Sequence, residues 1–136
     1  MIKVISAFAV LMLCFLPVCF GNPPGYQRIT AETAYQMMQR GTAGSRDLGS
    51  FVLLDVRSEA EFREKRIAGA ILIPVNELER RAATELPDKN AVILVYCRAG
   101  VRASNAARIL AGRGYTQVFN FGGIMDWPYE TASGNF

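Results

Sequence analysis

Residues 97–102, with the sequence Cys-Arg-Ala-Gly-Val-Arg, combine a nucleophile with features that bind anions. A short loop that enters a helix directs successive backbone N–H groups to one point, where the helix dipole adds positive charge. Gly100 permits a backbone conformation that other residues avoid, and Arg98 and Arg102 carry permanent positive charges. These features favour the thiolate form of Cys97 and predict a nucleophile there. An ordinary turn with solvated arginines and a buried cysteine is the alternative interpretation.

The composition excludes several other chemistries. The chain has 136 residues, a formal net charge of +3 and no histidine. It therefore lacks the commonest general base and the commonest metal ligand, and we expect neither a metal nor another cofactor. Charges of both signs are interleaved and no basic run exceeds two residues, so nucleic-acid binding is not predicted. No Cys-x-x-Cys motif is present, which excludes a thioredoxin-like oxidoreductase.

The elements on both sides of the loop are predicted from the hydrophobic pattern. Residues 91–96 form an apolar run typical of a strand, and residues 103–113 are alanine-rich with an apolar helical face that ends at Gly112 or Gly114. In α/β sheets, ligands bind outside the carboxyl ends of the strands. The pattern thus places Cys97 where a site is expected.

The rest of the chain repeats this alternation of strand and helix. One helix is predicted over residues 31–40. A short second helix begins at a capping box formed by Ser58 and Glu61, and a third runs from Asn76 to about Leu86. Further strands are predicted over 51–56, 70–73 and 117–120. Strands joined by helices imply an α/β domain with a small central parallel sheet flanked by helices on both faces. We assign residues 22–28 to a linker, 29–128 to this domain and 129–136 to a loose polar tail.

The first 21 residues have the composition of a secretory signal peptide. Lys3 precedes an apolar run over residues 4–16, and small residues lie near a cleavage position after Gly21. We expect export to the periplasm or another extracytoplasmic compartment, and contact with a membrane only if this segment is retained. An uncleaved anchor and lipidation at Cys19 are the alternatives, since residues 4–20 are at the short limit for spanning a bilayer. Cleavage would leave Cys97 as an unpaired exported thiol.

The sequence resembles the rhodanese family of sulfurtransferases from Ile29 to about Trp127. Four motifs carry the resemblance: Leu54-Asp-Val-Arg57 with Glu61-Phe62, Ile67 to Pro74, Val95 to Arg102, and Val118 through Gly122-Gly123 to Trp127.

The resemblance implies a rhodanese-like fold and a sulfur-transfer reaction. Cys97 would take a sulfane sulfur from thiosulfate or a similar small sulfur-containing anion as a persulfide, and would pass it to cyanide or another thiophilic acceptor. The backbone of the loop residues Arg98, Ala99, Gly100, Val101 and Arg102 would cradle the outer sulfur. We expect a monomer.

Asp55, Arg57 and Glu61 match framework positions of the family. Arg57 and Glu61 are spaced i, i+4, which predicts an ion pair beside the active loop. A purely structural role is the alternative, with Glu61 as a capping-box residue and Asp55 as a carboxylate at a strand end. Gly122-Gly123 is interpreted either as a wall of the pocket or as a simple turn.

The sequence departs from the family at two places. Arg66 occupies the position of a common histidine, and only Phe121 precedes Gly122 where many members have two residues. The first change affects local packing and the second a nearby turn.

Two functional alternatives remain. A non-catalytic sulfur-carrier or partner-binding module would not require the nucleophile. A cysteine-dependent phosphatase is less favoured, because its loop has five residues between the cysteine and an arginine that clamps phosphate, whereas Arg102 follows Cys97 after four.

Overall fold

The computed structural model describes residues 25–42 and 51–136. The expected signal peptide, the start of the linker and most of the loop over 41–50 lie outside these ranges. No helix within the described ranges is both long enough and apolar enough to cross a membrane.

The described chain alternates strands and helices. In order, the elements are β1 (Tyr26–Arg28), α1 (Ala31–Thr42), β2 (Phe51–Asp55), α2 (Glu59–Glu64), β3 (Arg66–Ile67), β4 (Ile71–Leu72), α3 (Leu78–Glu85), β5 (Val92–Cys97), α4 (Val101–Gly112), β6 (Gln117–Gly123), a 3₁₀-helix (Ile124–Asp126) and β7 (Thr131–Ala132).

Five strands form a parallel sheet in the order β1-β6-β5-β2-β4, and β3 pairs with β7 in a separate antiparallel ribbon. The central strand β5 is paired on both sides, with Leu54 opposite Val95 on β2 and Asn120 opposite Val95 on β6. The carboxyl end of β5 is therefore surrounded by the ends of two neighbouring strands, where the site lies.

Both faces of the sheet are buried, as the apolar runs predict. Successive side chains of a strand point to opposite faces, so Leu54 and Val95 join one core with Leu78 of α3 and Leu110 of α4. Their neighbours in sequence join a second core beneath α1. The predicted α/β class, with a parallel sheet covered on both faces, is confirmed.

Two stretches assigned outside the domain contribute strands. Tyr26–Arg28, within the assigned linker, forms the edge strand β1 and pairs with Val118 to Asn120. In the assigned tail, Thr131–Ala132 pairs with β3 and Tyr129 stacks on Tyr35 with ring centroids 3.8 Å apart. Short polar strands have no periodic apolar signal, and only their partners in space make them strands.

The boundaries of two helices also differ from expectation. Helix α4 begins at Val101 rather than Ala103, so Arg102 lies in its first turn. Helix α3 begins at Leu78 after Glu77, and no side chain caps it, so Asn76 is not the predicted cap. Residues 74–78 instead form two turns, in which Glu77 N donates to Pro74 O and Leu78 N to Val75 O. The backbone N–H groups at the start of α3 are therefore bound by carbonyl oxygens of these turns and not by a side chain of Asn76.

Candidate active site

Cys97 is the last residue of β5 and lies at the carboxyl edge of the sheet. It is 1% exposed and is paired in register with Gly123 of β6. The pairing of β5 with β6 shifts between Val95 and Cys97. This irregularity separates the cysteine from the regular strand and places it at the start of the loop.

The loop after Cys97 turns back toward its sulfur. Gly100 N donates to Cys97 Sγ at 3.0 Å, and Gly100 has a φ of 111°, in the left-handed region that favours glycine. Gly100 also precedes the first turn of α4, where Ser104 N donates to Gly100 O. A backbone N–H and the positive end of a helix thus point at the sulfur and stabilise negative charge there.

The two arginines of the loop have different environments. Arg102 makes a bidentate ion pair with Glu61, with Nη1–Oε2 and Nη2–Oε1 distances of 2.7 and 2.8 Å. Arg98 is exposed and forms no ion pair with any other residue in the described part of the chain. The charge of Arg102 is therefore paired with a carboxylate, whereas that of Arg98 is not.

Glu61 is held from two directions. Its Oε2 accepts from Ser58 N at 3.0 Å and from Ser58 Oγ at 2.9 Å, which completes the capping box predicted from the sequence. The hydrogen bond from Arg102, followed by those from Ser58, lowers the pKa of Glu61 to about 2. Glu61 is therefore ionised at all physiological pH values and connects α2 to the first turn of α4.

The predicted ion pair between Arg57 and Glu61 does not form. Arg57 instead binds the buried Asp55, with Nη2 2.7 Å from Oδ2, and also donates to Lys65 O at 2.6 Å. The N-cap Ser58 is extended, so Arg57 lies before the helix and the i, i+4 spacing does not bring it to Glu61. Asp55 and Arg57 therefore hold both ends of α2 beside the loop.

The opposite wall of the site is formed by the end of β6. A Cβ at Gly123 would overlap the carbonyl of Arg98, and that carbonyl accepts from Met125 N at 3.2 Å. Gly122, with a φ of 91°, donates to Asn120 Oδ1 at 2.9 Å. The two glycines belong to the end of β6, which packs on the loop, so they do not form a simple turn.

Two of these residues were missed by the sequence reasoning. Asn120 is 1% exposed and also donates to Ser104 Oγ at 3.0 Å, so it links β6 to α4. The sequence offered a signal for Asn120, because it is a polar residue in an otherwise apolar strand. Met125 has no such signal, because its role depends on the contact between the 3₁₀-helix and the loop.

A model of the rhodanese-like domain matches residues 30–129 of the chain. The chain belongs to the rhodanese family. Since the matched segment contains the loop, α2 and the end of β6, the site described above lies wholly within the rhodanese domain.

Individual rhodaneses agree with this assignment. Thiosulfate sulfurtransferase PspE of Escherichia coli is 44% identical over 73 residues, which are 54% of this chain and 70% of PspE. Thiosulfate sulfurtransferase GlpE of Coxiella burnetii is 28% identical over 103 residues, which are 75% of this chain and 87% of GlpE. A solved structure described as "rhodanese with anions from E. coli" is 39% identical, with a TM-score of 0.59, and is covered completely by 62% of this chain.

The two departures from the rhodanese pattern are accommodated by packing. Arg66 donates to Phe62 O at 3.3 Å and to Gly134 O at 2.9 Å, so it attaches the C-terminal segment to α2. Phe121 is buried between Tyr96 and Trp127, with ring centroids 5.5 and 5.4 Å away.

Packing at Gly123 predicts a strong effect of one methyl group. We expect Gly123→Ala to lower the free energy of unfolding by about 1–3 kcal/mol, the usual cost of overpacking, because the loop backbone must move. Gly112→Ala is the matched control: nothing lies within 4 Å of its added Cβ, and alanine should stabilise α4 by about 0.5–1 kcal/mol. Urea unfolding measures both, and equal stabilities of the two variants would contradict the close packing.

The lowered pKa of Glu61 predicts how stability depends on pH. The Glu61–Arg102 pair stabilises the folded state fully above the ordinary glutamate pKa of 4.5, and this contribution is lost as the pH falls through about 2. We therefore expect the wild type to exceed Glu61→Gln in unfolding free energy by a constant amount above pH 4.5, and the difference to shrink below it. A difference that stays constant down to pH 2 would show that the pair does not contribute.

Proposed function

We propose that this protein is a thiosulfate sulfurtransferase in which Cys97 carries the transferred sulfur. The observation that carries the proposal is the backbone N–H of Gly100 directed at Cys97 Sγ, at 3.0 Å, beside the exposed Arg98. The relatives named thiosulfate sulfurtransferase support the same reaction class.

The first half-reaction loads the cysteine. The Cys97 thiolate attacks the outer sulfur of thiosulfate, a bond forms between Sγ and that sulfur, and the bond from that sulfur to the SO₃ group breaks. Sulfite leaves with the electron pair of the broken bond. The product is a Cys97 persulfide anion, so atoms and charge balance without an oxidant or a metal.

The second half-reaction removes the transferred sulfur from Cys97. A nucleophile such as cyanide attacks the outer sulfur of the persulfide, and the S–S bond breaks so that its electron pair returns to Cys97 Sγ. Thiocyanate leaves and the thiolate is regenerated. The loop N–H groups stabilise negative charge on sulfur in the thiolate and in the persulfide, which is the charge that both steps share.

The arginines contribute to these steps in two ways. Arg98 is exposed, follows Cys97 in the loop and has no ion-pair partner in the described part of the chain, so its charge is available to attract the donor dianion and the leaving sulfite. Arg102 is a positioning residue, since its side chain binds Glu61 and holds the first turn of α4. The pair with Glu61 uses one N–H of each terminal nitrogen and offsets the charge of Arg102, which disfavours the use of this arginine as a phosphate clamp.

Loading of Cys97 gives a direct test. Incubation of the purified protein with thiosulfate should add one sulfur atom, about 32 Da, by persulfidation of Cys97, as measured by intact-mass spectrometry. Addition of cyanide should remove this mass and release thiocyanate. Incubation with sulfate, which has no sulfane sulfur, is the control and should add nothing. Cys97→Ser should lose both reactions, and persistent thiocyanate production by this folded variant would refute the assignment.

The different environments of the two arginines predict different kinetic defects. Arg98→Ala should raise the KM for thiosulfate about 5–10-fold with little change in kcat, because a partly solvated attraction of about 1 kcal/mol is lost. Arg102→Ala should mainly lower kcat, since it releases Glu61 and the first turn of α4. Arg108→Ala, an exposed charge elsewhere on α4, is the matched control and should leave both constants unchanged. Identical defects in the Arg98 and Arg102 variants would contradict the separation of roles.

A further inference from the structure

Residues 131–136 lie against α2, and we call them the C-terminal strap. The strap begins as β7, in which Ala132 pairs with Arg66 of β3. Beyond this pair, Gly134 N donates to Arg63 O at 2.8 Å, and Arg66 Nη1 donates to Gly134 O at 2.9 Å. These hydrogen bonds attach the strap to the last turn of α2 and to the strand that follows it.

The strap ends in a phenylalanine whose ring contacts join it to α2 and β3. The ring of Phe136 meets that of Phe62 edge-on, with centroids 4.8 Å apart and an angle of 86° between the ring planes. The guanidinium groups of Arg63 and Arg66 lie 5.8 and 5.9 Å from the centroid of the Phe136 ring. Edge-to-face and cation–π arrangements of this kind are attractive. Phe136 is 69% exposed, so these contacts hold α2 from the solvent side and add little to the core.

Helix α2 depends on such contacts because it is short. It has six residues, fewer than a helix needs to be stable on its own. On its buried side, Phe62 enters the core, and Arg57 donates to Lys65 O at the end of the helix. The strap holds the opposite side. Loss of the strap should therefore loosen α2 without unfolding the domain.

The position of α2 affects the loop that follows Cys97. Glu61 belongs to the turn that Phe136 holds, so its carboxylate moves with that turn. The carboxylate binds both terminal nitrogens of Arg102, in the first turn of α4. The N–H of Gly100, two residues earlier, points at Cys97 Sγ. A continuous set of contacts thus leads from the ring of Phe136 to the N–H that stabilises charge on the sulfur.

We propose that Phe136 is a positioning residue for sulfur transfer, because the C-terminal strap fixes α2 and α2 fixes the loop through Glu61 and Arg102. Phe136 takes no part in the chemistry itself. It keeps the loop N–H directed at Cys97 Sγ while the transferred sulfur is gained and lost. The inference rests on the proposed function for its effect on turnover, and it adds to that function a residue that lies outside the active-site motifs.

Hydrogen–deuterium exchange of the full chain tests the link between the strap and the loop. Phe136→Ala should speed exchange about threefold in peptides that cover residues 59–64 and 98–104, the factor that matches the loss of one exposed aromatic contact. Phe136→Tyr keeps the ring and should exchange as the wild type does. Ile71→Ala is the matched control, because it shortens another exposed apolar side chain, and it should change neither peptide. Faster exchange in residues 59–64 alone would show that the contact is local and would refute the link to the loop.

Turnover of thiosulfate with cyanide tests the consequence for catalysis. Phe136→Ala should lower kcat about threefold and leave the KM for thiosulfate within about twofold of the wild type, because Arg98 is unchanged. In a Glu61→Gln background, which cannot accept both hydrogen bonds from Arg102, Phe136→Ala should have no further effect on kcat. Effects of the two substitutions that multiply would refute the path through Glu61. Urea unfolding identifies the conditions under which every variant is folded.

The outcomes separate this inference from the proposed function. If thiosulfate loads Cys97 and Phe136→Ala lowers only the urea midpoint, with loop exchange and kcat unchanged, the strap is purely structural; the inference is then refuted and the sulfurtransferase remains. If loop exchange rises but kcat does not fall, the positioning role is likewise refuted. If thiosulfate does not load Cys97 in the wild type, the proposed function falls, and exchange in residues 98–104 still decides whether Phe136 positions the loop.

Discussion

The bidentate ion pair between Glu61 and Arg102 joins the two parts of the chain that build the site. Arg102 lies in the first turn of α4, two residues after the glycine whose N–H points at Cys97 Sγ. Glu61 cannot turn away, because the capping box with Ser58 holds the same carboxylate. The position of the loop relative to α2 therefore depends on the Glu61 carboxylate, which accepts hydrogen bonds from both Arg102 and Ser58. The low pKa of Glu61 reflects how strongly these donors stabilise its ionised form.

The other wall of the site is set by packing rather than by charge. The close approach of β6 to the loop leaves no room for a side chain at Gly123, and the carbonyl of Arg98 is bound by the 3₁₀-helix that follows. The loop is thus held between an ion pair on one side and a backbone contact on the other. Such support holds the Gly100 N–H toward Cys97 Sγ.

The charged side chains around the loop differ in whether they are paired. Arg102 and Arg57 are neutralised by Glu61 and Asp55 and shape the backbone. Arg98 and Lys65 are exposed and have no ion-pair partner within the described residues. Residues with the same formal charge therefore differ in pairing, and the difference comes from their neighbours in space.

The sequence by itself determined the class of fold, the position of Cys97 at the end of a strand, and the capping box. The apolar runs that become β2 and β5 require burial on both faces, and Cys97 must follow the second of them. The box between Ser58 and Glu61 is local, since it needs only four consecutive residues. Local signals of this kind survive folding because their partners are neighbours along the chain.

Only the tertiary structure decided which charges are paired and where the short strands lie. The i, i+4 spacing pointed Arg57 to Glu61, but the extended cap directed Arg57 to Asp55 and left Glu61 to Arg102, which is 41 positions away. Strands β1 and β7 likewise exist because β6 and β3 present free backbone groups to them. Long-range partners carry no periodic signal in the sequence, since their proximity arises only when the sheet brings distant segments together.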